Sequence, residues 1–106
     1  MTNGKQNEFD LDLDQENETD VTEPTMYKVL LHNDDYTPMD FVVFVLKKFF
    51  NKSDIEAYQI MMDVHEKGLG LAGVYSFEIA ETKVTQVNQF SKQNEYPLKT
   101  SLEEQT

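Results

Sequence analysis

Residues Asn33-Asp34-Asp35-Tyr36-Thr37-Pro38-Met39-Asp40-Phe41 leave the backbone very little choice. Proline has a fixed φ and no N–H, so Pro38 belongs neither inside a sheet nor deep in a helix. Asparagine and aspartate imitate backbone turns with their side chains. Upstream, Met26 to His32, with Val29, Leu30 and Leu31 in succession, reads as a short strand that the polar cluster ends. Downstream, Thr37 stands where an N-cap belongs, Pro38 where the first helical residue belongs, and Asp40 where its charge favours a helix start. A helix from Pro38 to about Phe50 is predicted. Its apolar residues cover more than half the circumference, so it is expected to pack against both a sheet and another helix.

The next segment carries equally local signals. Ser53-Asp54-Ile55-Glu56 is a capping box, in which the serine accepts from the backbone and the glutamate reaches back. It opens a helix from Asp54 to Lys67, and Gly68 suits a left-handed C-terminal cap. Leu69 to Phe77 reads as a strand, and Ile79, Ala80, Val84, Val87 and Phe90 mark a third helix. Tyr96 to Leu102 is expected as a final strand, with Pro97 near its start indicating a sheet edge. The order β-α-α-β-α-β places the chain in the α+β class.

Residues 1–25 differ in kind. Their apolar side chains are few (Phe9, Leu11, Leu13 and Val21), and they carry eight acids and one lysine. Such a segment cannot bury enough surface to offset chain entropy. A flexible acidic extension over 1–25, followed by a folded domain over 26–106, is expected. The alternation of Phe9, Leu11 and Leu13 with Asp10, Asp12 and Asp14 also allows a short docking strip.

Charge and composition exclude several functions. The net charge is -11 and arginine is absent, which argues against nucleic acid or an anionic membrane as partner. Basic partners or amino groups fit better. With no cysteine, disulfides, thiolate catalysis and cysteine metal sites are excluded. The Met-Thr-Asn-Gly start lacks the basic region and apolar stretch of a signal peptide, and no run approaches a membrane span. A cytoplasmic location is expected.

Three oxygen-bearing side chains, Asn33, Asp34 and Asp35, lie beside apolar elements rich in methionine and valine. Such a cluster often serves only as a turn. His65 sits on the helix face that also carries Met61 and Val64 by three- and four-residue spacing. A free α-amino group is a cation with three N–H donors, and amide oxygen, carboxylate and neutral imidazole are the acceptors it needs. The same oxygen and imidazole groups, with His32, form an alternative divalent-metal or hydrolytic set. No His-x-x-x-His, Asp-x-Asp, Ser-His-Asp or phosphate-loop pattern supports that alternative. No enzyme activity, metal or cofactor is expected.

The chain resembles the ClpS family, adaptors that hand proteins with bulky N-terminal residues to the ClpA–ClpP protease. The resemblance runs from Met26 to Glu104, about three quarters of the chain. It rests on Tyr27-Lys28-Val29, the run from Asn33 to Met39, Val64-His65 followed by glycine, Gly73-Val74-Tyr75 and Ala80-Glu81-Thr82-Lys83-Val84. It implies a three-stranded antiparallel sheet covered by three helices. The implied grip on a substrate's amino terminus falls on Asn33, Asp34, Asp35 and His65. The implied pocket for a first residue of Leu, Phe, Tyr or Trp falls on Leu31, Thr37, Met39, Val42, Met61, Val64 and Leu98. Met39 is the implied gatekeeper against β-branched residues. Docking on the N-terminal domain of a ClpA-type AAA+ unfoldase, working with ClpP, is implied at Glu78, Thr82 and Lys83; the bare sequence reads Glu78 and Lys83 as exposed charges. The flexible extension is implied in delivery. Departures from the family pattern fall at His32, Asp63 and the stretch Gly68-Leu69-Gly70-Leu71, with His32 expected as a second titrating group near the site. A ribosome-stalk-like interaction domain, lacking a terminal pocket, is the alternative.

Overall fold

A computed structural model describes residues 24–106. The extension expected over 1–25 therefore lies almost wholly outside the described residues. Six elements follow: β1 (Met26–His32), α1 (Met39–Phe50), α2 (Asp54–Lys67), β2 (Leu69–Ser76), α3 (Phe77–Gln93) and β3 (Lys99–Glu104). The strands form one antiparallel sheet in the order β2-β1-β3. This is the expected α+β arrangement of three strands and three helices.

Alternation along β1 fixes which face meets the helices. Val29 and Leu31 are fully buried and cluster with Val42, Val45 and Leu46 of α1 and Val87 of α3. Leu30 lies outside that cluster. An irregularity between Val29 and Leu30 shifts the register, so that Val29 pairs with Gly73 and Leu30 with Leu71. The intervening Ala72 is turned into the core, the re-aiming expected of a bulge.

Helix α1 begins one residue later than predicted. Pro38 has extended backbone angles and occupies the N-cap, and its carbonyl accepts from the N–H groups of Phe41 and Val42. Thr37 does not cap the helix, because its hydroxyl donates to Asp34 instead. The helix ends at Asn51, whose φ of 55° is left-handed; asparagine tolerates that region better than most residues. As its apolar girth predicts, α1 packs on several sides: Phe41 and Phe49 surround Phe90 of α3 at centroid distances of 5.6 and 5.3 Å.

Helix α2 matches its predicted bounds, with both capping-box bonds formed: Ser53 Oγ accepts from Glu56 N, and Ser53 N donates to Glu56 Oε1. Gly68, at φ 93°, ends it. The last part of the chain departs more from expectation. Helix α3 starts at Phe77 and runs to Gln93, and β3 starts at Lys99 rather than Tyr96. Tyr96 is tied to the end of α3 through its N–H to Ser91 O, and its ring lies 4.6 Å from that of Phe41. The Asn88 side chain then brackets the start of β3, with Oδ1 accepting from Thr100 N and Nδ2 donating to Thr100 O. No helix among the described residues is long and apolar enough to cross a membrane.

Candidate functional site

Two sequence segments some thirty positions apart meet through backbone atoms. Asn33, leaving β1, donates its N–H to Gly68 O at 2.9 Å, and Gly68 N donates to Val64 O at 3.1 Å. Since His65 and Val64 lie in the last turn of α2, this clasp sets the β1–α1 loop beside them. Gly70 lets β2 approach equally closely: a Cβ there would stand 2.8 Å from Val64 Cγ2 and 3.0 Å from Ile60 O. Only a residue without a side chain fits.

Asp34 orders the loop. Its Oδ1 accepts from Tyr36 N at 2.8 Å and Thr37 N at 2.7 Å, and its Oδ2 accepts from Thr37 Oγ1 at 2.7 Å. Burial pushes this carboxyl up, but the three hydrogen bonds, led by the Thr37 hydroxyl, outweigh burial and hold it below the ordinary aspartate value. The sequence alone left open whether the acids build a turn or grip a cation. For Asp34 the turn is real. Asn33 and Asp35 are exposed, and their side chains have no hydrogen-bond partner among the described residues.

The result is a pocket of about 440 Å³ lined by Asn33, Asp34, Asp35, Tyr36, Thr37, Pro38, Met39, Val42, Met61, Val64 and His65. That volume falls within the roughly 300–1,000 Å³ typical of small-ligand clefts. Its walls divide by chemistry. The four polar groups of the expected grip are all present, and no lysine or arginine joins them, so the lining favours a cation. Val42, Met61 and Val64 are 3–5% exposed and supply an apolar floor, while Met39 is 43% exposed at the mouth. The lining is thus acceptor-rich at one end and apolar at the other.

Two of the seven expected slot residues do not reach this lining. Leu31 and Leu98 are 0% and 4% exposed and sit in the core, Leu31 on the helix-covered face of β1 and Leu98 directly ahead of β3. Tyr36 and Pro38 line the pocket although the sequence reading did not select them; their position in the same β1–α1 loop was the available signal. His32 is absent from the lining. Strand alternation turns it the other way, where its Nε2 lies 2.6 Å from Ser101 Oγ. Among the described residues no three His, Asp or Glu side chains gather closely enough to hold a metal ion.

On α3, Glu78 and Thr82 are exposed, and the Thr82 hydroxyl donates back to Glu78 O at 3.0 Å. Lys83 is not the exposed charge that the sequence suggests. It is half-buried, its ammonium donates to Phe49 O at 2.7 Å, and it lies over the rings of Phe50 and Tyr75. A cation is favourable there because Phe49 carries one of the unpaired carbonyls at the C-terminus of α1.

Comparison with known proteins agrees with this architecture. A relative from Bdellovibrio bacteriovorus, named ATP-dependent Clp protease adapter protein ClpS, is 66% identical over 82 residues, covering 77% of this chain and 72% of its own. The protein of the same name from Shewanella piezotolerans is 59% identical over 87 residues, 82% of this chain and 85% of its own. A solved structure of Agrobacterium tumefaciens ClpS2 bound to L-phenylalaninamide superimposes with a TM-score of 0.76 at 38% identity, covering 78% of this chain and all of that one. The family profile described as "ATP-dependent Clp protease adaptor protein ClpS" matches residues 22–101, and the chain accordingly belongs to the ClpS family of Clp protease adaptors.

Proposed function

We propose that the pocket captures the free α-amino group and bulky apolar first side chain of a protein, and that the chain delivers such N-degron substrates to a ClpA–ClpP-type protease. The observation that carries this reading is the juxtaposition, in one pocket, of Asn33, Asp34, Asp35 and His65 with the apolar floor of Val42, Met61 and Val64. The ligand named for the Agrobacterium structure, L-phenylalaninamide, has the same two parts: an amino group and a benzyl side chain.

In this reading Asn33, Asp35 and a neutral His65 accept the three N–H bonds of the ammonium group. Asp34 acts through its charge and through the loop it orders. The first side chain enters between Met39, Thr37 and the floor. Burying a Phe or Leu side chain is worth roughly 1.5–3 kcal/mol, and charge-assisted hydrogen bonds to the ammonium add to it. A β-branched first residue carries its extra methyl against the mouth, where Met39 stands.

Delivery is assigned to other surfaces. Glu78, Thr82 and Lys83 are the proposed contact with the N-terminal domain of the unfoldase, with Lys83 exchanging its bond to Phe49 O for one to the partner. Residues 1–25 serve as the delivery extension ahead of the folded domain over 26–106, and the setting is the cytoplasm. Fluorescence anisotropy of a labelled peptide beginning with Phe tests the binding step, run beside its acetylated form and one beginning with Ile. Tight binding of the free Phe peptide alone is expected. Equal binding of the acetylated peptide would overturn the amino-group role, and no binding of any would overturn the reading.

A further inference from the structure

The pocket mouth holds a chemically reactive group that binding alone does not use. Of the described methionines, Met26 and Met62 are half-buried, Met61 is 5% exposed and Met39 is 43% exposed. Met39 is also the one of these four at the pocket's mouth, in the first turn of α1 directly after the Pro38 cap. The chain has no cysteine, so no thiol competes with the thioethers for an oxidant. Exposure governs how fast a thioether reacts, and its position decides what the reaction does.

The geometry points to Met39 as an oxidation-sensitive gate: conversion of its thioether to the sulfoxide by hydrogen peroxide weakens capture of an apolar first residue. This rests on the binding reading above. In the step, the Met39 Sδ lone pair attacks one peroxide oxygen. An S–O bond forms, the O–O bond breaks, sulfur loses two electrons, and the second oxygen leaves as water. A thiol-dependent sulfoxide reductase reverses it, releasing water and forming a disulfide on the reductase. The new S=O dipole sits in the wall that an apolar side chain must enter, and covering it without a hydrogen bond is unfavourable. The carboxylates of Asp34 and Asp35 are acceptors like the sulfoxide oxygen, and the Thr37 hydroxyl already donates to Asp34. The donors left in the lining are the Asn33 amide, the Tyr36 hydroxyl and the His65 ring, and a bond from Asn33 or His65 would draw on the proposed ammonium grip. The fold is insulated from the change. Met39 projects from a helix end at the surface, whereas Met61, which belongs to the core, is shielded.

The test uses the full chain, treated with hydrogen peroxide for increasing times and followed by peptide mass mapping, thermal melting and anisotropy with the Phe peptide. Met39 sulfoxide is expected to form about tenfold faster than that of Met61. Protein oxidised at Met39 is expected to bind about tenfold more weakly with an unchanged melting temperature. Sulfoxide reductase with thiol restores the affinity, and the affinity of Met39→Leu, whatever its starting value, is the same before and after peroxide. Unchanged affinity at full Met39 conversion, equal reactivity of Met61, or an equal peroxide effect on Met39→Leu would each overturn the gate. Failure of the untreated protein to bind the Phe peptide overturns the binding reading and the gate together; binding that survives oxidation overturns the gate alone.

Discussion

Replacing Asp34 by alanine removes three acceptor contacts at once, at 2.7, 2.7 and 2.8 Å. Hydrogen bonds to a charged group contribute about 1.5–3 kcal/mol each when sheltered, but these are not equally sheltered. The Tyr36 N–H is exposed and turns to water when its partner is lost, so its share is close to zero. The Thr37 N–H and hydroxyl are part-buried, and about 1 kcal/mol each is the expected share after solvent screening. Asp34→Ala should therefore destabilise the domain by about 2 kcal/mol, a drop in melting temperature of roughly 8–16 °C for a domain of this size. The assay is urea or thermal unfolding of wild type and variant across pH. The folded-state pKa of Asp34 is depressed, so its contribution is fully present above the unfolded value of about 3.9 and is lost as pH falls through the lower folded value. The gap between wild type and variant should thus be widest near neutrality and narrow below about pH 4. A gap under about 0.5 kcal/mol at pH 7, or one that does not narrow in acid, would refute the assignment of Asp34 to loop order.

Four further outcomes are expected. His65→Ala should weaken binding of the Phe peptide by about 1.5–3 kcal/mol with little change in melting, since the residue is exposed; anisotropy and calorimetry together check this. Met39→Ala should open the mouth and admit peptides beginning with Ile or Val, which a panel of first residues measured by competition will reveal. Gly70→Ala pushes a methyl to 2.8 Å from Val64 Cγ2, and overpacking of about 1–3 kcal/mol should appear as a lower unfolding midpoint together with weaker peptide binding. Lys83→Met keeps the stem but leaves Phe49 O without its donor, so about 1 kcal/mol of stability should be lost and hydrogen exchange in the last turn of α1 should quicken.

What the sequence conveyed well was local. The limits of α2 follow from Ser53, Glu56 and Gly68, each acting within a turn of its own position. The start of α1 was displaced because Thr37 had two possible partners, and the Asp34 carboxylate prevailed over the helix. The start of β3 was displaced for a similar reason: Tyr96 carries strand-like chemistry, yet its N–H is taken by Ser91 O and its ring by Phe41. That Asn33, Asp34, Asp35 and His65 line one pocket was legible as a candidate, because acceptors of suitable kind stood in the loop after β1 and in the last turn of α2. The apolar half was legible only in part. Nothing in the pattern separates Val42, which lines the pocket, from Leu31 and Leu98, which are core residues outside its lining. The inward position of Lys83 was invisible, since its partner Phe49 O is a main-chain atom 34 positions away.

The clasp between Asn33 N and Gly68 O has a consequence for how the site can diversify. It is made of main-chain atoms alone, so it holds the loop beside α2 whichever apolar side chains stand at positions 39, 42 and 61. Substitutions at Met39, Val42 or Met61 can therefore reshape the slot while the polar end keeps its spacing. On the proposed function, preference for one first residue over another and recognition of a free terminus become separately adjustable, a division of labour that lets related chains drift in taste without losing their hold.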